Sequence, residues 1–118
     1  MKARDLKNIK LPINVNNSTY YISFNFNSCC ELEEVYPGGF DKALKDVNKG
    51  SKGMSALRAL LYSALKVNHS DITLNETGLL ITAAIQNNEM DNISEQLLKA
   101  IELFNPTQEQ IEETMQGE

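Results

Sequence analysis

Along the first quarter of the chain, apolar and polar residues alternate singly. Ile9, Leu11, Ile13 and Val15 fall on one side of an extended backbone, and period two is the mark of a strand with one buried face. Pro12 stands on the other side and has no N–H to give a ladder, which predicts an edge strand. Asn16-Asn17 follows, and asparagine tolerates the positive φ of a two-residue hairpin turn. From Thr19 to Phe26 the alternation resumes, with Tyr20, Ile22, Phe24 and Phe26 on the inner side. A hairpin over residues 8–27 is the expectation. An isolated hairpin is marginal in water, so its apolar face must rest on other elements.

The spacing then changes from two to three and four. Ser28-Cys29-Cys30-Glu31 reads as a capping box opening a short helix that packs Cys29, Leu32 and Tyr36 and stops at Pro37-Gly38-Gly39. Phe40, Ala43, Leu44 and Val47 fall at i, i+3, i+4 and i+7, a one-sided helix. After the Gly50–Gly53 loop, a helix over Ser55–Val67 carries the stripe Leu57, Leu60, Leu61, Ala64 and Leu65. Arg58, Tyr62 and Lys66 are expected on its opposite face, and Asn68 is expected as a left-handed cap. Thr73-Leu74-Asn75-Glu76 is a second capping box, opening a helix to about Gln86. Its inner face is read as Leu74, Thr77, Gly78, Ile81, Ala84 and Ile85, with Leu79 turned away. Gly78 lowers helix propensity by ~1 kcal/mol relative to alanine, which predicts a close neighbour there. Past Asn87-Asn88, the residues Met90, Ile93, Leu97, Ala100, Ile101 and Phe104 stripe a last helix that Pro106 ends. Residues 107–118 offer only Ile111 and Met115 for burial, and two apolar residues do not hold a helix against its ordering cost, so a frayed acidic tail is expected. The fold class expected is α+β, mostly α: one domain over residues 1–106, with an N-terminal hairpin packed on about five helices.

Composition agrees with one small domain. The chain has 118 residues, 42% of them apolar, and no tryptophan, so aliphatic side chains carry the core. The net charge is −5, placed unevenly. Lys2, Arg4, Lys7 and Lys10 face only Asp5 in the first ten residues, while Glu109, Glu112, Glu113 and Glu118 stand without a cation near the end. An acidic chain gains nothing from neutralising phosphates, so no nucleic-acid partner is expected. No apolar run approaches the ~20 residues that span a bilayer, so no membrane partner is expected either. Residues 1–8 lack the apolar segment of a secretory leader. Cys29 and Cys30 are adjacent, which disfavours a bridge between them, and free thiols point to a reducing cytosol.

Reactive chemistry is sparse. His69, the single histidine, follows a helix and has no companion ligands, so no metal site is expected. Cys29 lacks a base and an orienting group and reads as a packed thiol. Glu31 is accounted for by the cap, and Glu33 and Glu34 point about 100° apart on a helix, so no acid/base pair forms. Lys49–Gly53 lacks the glycine spacing and the Gly-Lys-Ser/Thr end of a phosphate loop. No catalytic, cofactor-binding or metal-binding residues are expected, and the function falls to surfaces.

The ordered set of an alternating hairpin, Glu31-Leu-Glu-Glu-Val-Tyr36, Phe40-Asp-Lys-Ala-Leu44, Leu57-Arg-Ala-Leu-Leu-Tyr-Ser-Ala-Leu65 and Ile72-Thr-Leu-Asn-Glu-Thr-Gly-Leu-Leu-Ile81 resembles the tail assembly chaperones of siphophages and prophages, over residues 8–105. The resemblance implies a non-enzymatic role in tail morphogenesis in the cytoplasm of a bacterial host. Members of the family bind the tape measure protein and tail tube subunits, keep them soluble until the tube polymerises, and are absent from the mature virion. Many are made in two lengths by a programmed frameshift, and this chain would correspond to the short form. The apolar residues turned from their own helix's inner stripe, Tyr62, Leu79, Leu98 and Leu103, are the candidate partner-binding surface. The hairpin's edge is expected to give weak self-association, a possible weak homo-oligomer. The alternatives are a minor structural phage protein, either a head–tail connector or a tail component, and a small regulator. The acidic Asp71 and Glu76 around the Thr73 helix start oppose the latter.

Overall fold

A computed structural model describes residues 9–48 and 52–104. Seven elements follow in order: β1 (Leu11–Val15), β2 (Ser18–Ile22), α1 (Phe26–Val35), α2 (Gly39–Asp46), α3 (Gly53–Lys66), α4 (Leu74–Gln86) and α5 (Met90–Phe104). The class is α+β and mostly α, a two-stranded antiparallel hairpin followed by five helices, as the patterning predicts. Residues 49–51 of the phosphate-loop comparison, the basic residues 2–7, Pro106 and the tail 107–118 lie outside the described residues.

The hairpin forms where the alternation places it. Asn16 and Asn17 both take positive φ, 50° and 66°, and the register sets Leu11 opposite Ile22 and Ile13 opposite Tyr20. Leu11, Ile13, Val15 and Ile22 are buried. The alternation fails after Ile22. Ser23 and Phe24 are both buried, and Phe26 is 74% exposed at the start of α1. The helix begins one turn earlier than the Ser28–Glu31 box predicts. Asn25 is extended, its Oδ1 accepts the Ser28 N–H (3.1 Å), and Ser28 Oγ accepts the Asn25 N–H (3.2 Å). Both boxes fit the sequence. In the earlier one the Ser28 hydroxyl is buried, and the cost of that burial is offset by donation to the Ser23 carbonyl.

Gly38 and Gly39 turn the chain from α1 into α2 with φ of +95° and +68°. A Cβ at Gly38 would stand 2.6 Å from Lys42 Cβ, so the turn demands glycine twice over. Behind it, Tyr36 donates its hydroxyl to the buried Asp46, which also takes Lys42 Nζ at 3.2 Å.

α3 is the central element, in contact with α1, α2, α4 and β2, and residues 59–65 are buried without interruption. A helix enclosed on several sides has no solvent face at its middle: of Arg58, Tyr62 and Lys66, read on the face opposite the stripe, Arg58 is exposed and Lys66 half-buried, but Tyr62 is buried. Asn68 is not the left-handed cap. Its side chain instead donates to Ser23 Oγ (3.0 Å), and the left-handed position belongs to Asn88 (φ 58°) after α4, where Glu89 N–H closes on the Ala84 carbonyl at 2.7 Å.

α4 begins at the expected Thr73–Glu76 box. Its core face, however, is Thr77, Leu80 and Ala84, rotated roughly 70° from the face read in the sequence at 100° per residue. Ile85 is therefore not an inner residue but 60% exposed. Gly78 does have a neighbour, but it is a side chain: an added Cβ would meet Arg58 Cδ at 3.6 Å, an ordinary contact. α5 buries Ile93, Leu97, Ala100 and Ile101 as its stripe predicts, with Met90 and Phe104 packed beside them.

The hairpin is clasped along both edges. On the β2 side, Tyr21 N–H donates to His69 Nε2 (3.0 Å), and Ser23 N–H donates to the Ala64 carbonyl (3.1 Å). On the β1 side, Asn14 N–H donates to Asn92 Oδ1 (3.1 Å), and Gln96 Nε2 donates to the Pro12 carbonyl (3.0 Å). At the turn, Asn16 N–H donates to Glu89 Oε1 (2.9 Å). A second copy pairing with β1 would have to displace these α5 side chains.

Candidate interaction surface

Of the four residues expected to form the partner-binding surface, Tyr62 does not reach the surface. Tyr62 is only 7% exposed. Its hydroxyl accepts from Lys66 Nζ (3.1 Å), and that ammonium sits 5.4 Å from the Tyr62 ring centroid. Lys66 in turn reaches Glu31 at 3.7 Å, so Glu31 serves the contact between α1 and α3 rather than a helix cap. The Tyr62 hydroxyl, helped by Glu31 and Glu34, holds the lysine above its ordinary range. Tyr62 is thus removed from the surface because α1 lies over it, a tertiary fact with no local signal.

Leu79, Leu98 and Leu103 are exposed, and Leu79 and Leu103 line different clefts. Leu79, 61% exposed, lines a cleft of about 680 Å³ with Tyr20, His69, Asp71, Ile72 and Leu80. Leu103 lines a smaller cleft of about 260 Å³ with Ile9, Leu11, Phe24 and Phe104. Leu98 and Leu103 lie about 140° apart around α5, on opposite flanks of its core stripe.

The structure adds a third cleft that the patterning does not reveal. Met54, Leu57 and Arg58 of α3 form one wall, and Gly78, Ile81, Thr82 and Ile85 of α4 form the other, around about 340 Å³. Met54 is 86% exposed, while Leu57 and Ile81 are half-buried. Two events create this groove. The rotation of α4 brings Ile85 to the surface, and Gly78 leaves room for the Arg58 stem, whose Cδ lies 3.6 Å from where a Cβ would stand. The weak sequence signal was the unbroken run Leu79-Leu80-Ile81, which carries apolar side chains to more than one side of a helix.

The reactive groups sit apart from these clefts or are absorbed by structure. Cys29 and Cys30 are free thiols. Cys29 is half-buried, and burial, with Cys30, Glu33 and Asp41 adding repulsion, pushes its thiol up, away from the thiolate form. His69 packs edge-on to Tyr20, with ring centroids 5.7 Å apart, while accepting the Tyr21 amide, which makes it a fastener of the hairpin. Among the described residues, no group of three His, Cys, Asp or Glu side chains is arranged to hold a metal ion, and no helix is long and apolar enough to cross a membrane. Comparison with known proteins finds no family model, curated protein or solved structure that matches the chain.

Proposed function

We propose that this chain is a tail assembly chaperone, a binding protein without enzymatic activity that shields the tape measure and tail tube proteins of a phage or prophage in the host cytoplasm before assembly. The reading rests on the resemblance of residues 8–105. It is supported by one structural observation: the apolar groove between α3 and α4, rimmed by the exposed Met54 and Ile85. A tape measure protein presents long apolar helical stripes while its tube is unbuilt, and a groove between two helices is a form that covers such a stripe. Tyr62, buried under α1, drops out of the proposed surface, whereas Leu79, Leu98 and Leu103 stay as exposed candidates.

Co-expression with the cognate tape measure protein tests the role. The tape protein is expected in the soluble fraction when this chain is present and in the pellet when it is absent. A tape protein that is soluble alone refutes the assignment. Stoichiometric presence of this chain in purified particles, read by mass spectrometry, favours a structural virion component instead.

A further inference from the structure

We propose that the α3–α4 groove seats two turns of an amphipathic partner helix whose apolar stripe is interrupted by one carboxylate, placed to meet Arg58. Gly78 to Ile85 is eight residues of α4, seven steps of about 1.5 Å or about 10 Å along its axis, which is the length of two helical turns. The anchors on each wall are spaced as a third helix requires: Met54 and Leu57 at i and i+3, Ile81 and Ile85 at i and i+4. The Arg58 stem crosses the groove at Gly78, its Cδ 3.6 Å from where a Cβ would stand, so a helix seated between the two walls meets this side chain. Arg58 selects the partner's charge. It is the one charged residue lining the groove, it is exposed, and among the described residues it forms no ion pair. An apolar helix laid over it would strip water from an unpaired guanidinium at a cost, whereas a carboxylate on that helix converts the cost into a charge-assisted, bidentate contact. The charge also stands out against a chain whose net charge is −5.

The inference deepens the chaperone reading and rests on it for the source of the partner, but the groove is tested without that partner. The probes are two fluorescein-labelled synthetic helices of 21 residues with the same leucine stripe, one carrying a single central glutamate beside the stripe and the other a lysine. Fluorescence anisotropy with the full chain should show the glutamate peptide binding about tenfold more tightly than the lysine peptide, and Arg58→Glu should invert that order. Ile85→Asp and Met54→Asp should each abolish binding. Phe26→Asp, at an exposed apolar position of α1 outside the groove, should leave it unchanged. Unchanged thermal melts establish that the variants fold, as expected for exposed side chains. Binding that ignores Ile85→Asp, a charge preference that Arg58→Glu does not move, or no binding of either peptide overturns the groove. Sedimentation showing that Ile85→Asp turns a dimer into a monomer would give the groove to a second copy of the chain, and it also overturns the proposal. None of these outcomes depends on the tape co-expression result, so the two readings fail separately.

Discussion

The backbone amide of Asn14 donates to the side chain of Asn92, 3.1 Å away and 78 residues further along the chain. With Gln96 on the Pro12 carbonyl it closes the outer edge of β1. Asn92→Ala should cost about 0.5–1.5 kcal/mol in denaturant unfolding, the net worth of one hydrogen bond, and should speed hydrogen exchange at Asn14. An unchanged exchange rate at that amide would show that the contact carries no protection.

Opening the clasp should also change association. Strand edges pair with other chains when their donors and acceptors are free. The double variant Asn92→Ala/Gln96→Ala is expected to self-associate more strongly than the parent, measured by sedimentation velocity over a range of concentrations. Equal masses for both proteins would mean that the edge is not the route to a homo-oligomer.

Phe24 is buried at the centre of three rings, 5.2 Å from Phe40 and 5.6 Å from Phe104 between centroids. Phe24→Ala removes that centre, which joins the hairpin's end to α2 and α5, and should cost about 3–5 kcal/mol. A change within about 0.5 kcal/mol, the range of neutral surface substitutions, would place the ring outside the core.

Gly78→Ala is expected to stabilise the protein by up to ~1 kcal/mol. Its φ is not in the left-handed region, and the new methyl would meet only Arg58 Cδ at 3.6 Å, a contact needing no rearrangement. Loss of stability in a thermal melt would mean that α3 cannot accept the methyl.

The hydrogen bond to Asp46 pushes the Tyr36 hydroxyl up from 10.0 to about 12, with burial and the Asp46 charge acting in the same direction. A raised pKa in the folded state means that the protonated form is favoured by folding. The contribution is complete below pH 10 and is lost as pH rises toward 12. Tyr36→Phe should therefore lower the melting temperature at pH 8, and the gap to the parent should narrow above pH 10. A gap constant with pH would detach this bond from stability.

What was legible in the sequence was local. The Leu11/Ile13/Val15 alternation, the Asn16-Asn17 turn, the Thr73–Glu76 box and the α5 stripe each lie within a few residues, and each is found where it was read. Misreadings arose where a distant element decides. Tyr62 lies opposite its helix's apolar stripe, yet α1 buries it. The face of α4 follows Leu80 and Ala84, because the packing of α3, β1 and α5 around it favours that rotation over the one centred on Ile81. Of the candidate surface, the outward turn of Leu79, Leu98 and Leu103 was readable. That Leu79 and Leu103 line different clefts was not, since helical phase says nothing of how helices are arranged.

The clasp imposes an order on synthesis. The hairpin residues leave the ribosome first, but the side chains that close the β1 edge belong to residues 89–96. At about 5–20 residues per second, Asn92 follows Asn14 by roughly 4–16 s. During that interval the ribbon's outer donors and acceptors face water or another nascent chain, and its register rests on the Asn16-Asn17 turn and whichever helices have already emerged. Among the described residues, the last helix, α5, is thus the one that fixes the first strand, and a chain ending before Asn92 would carry a hairpin with an open edge.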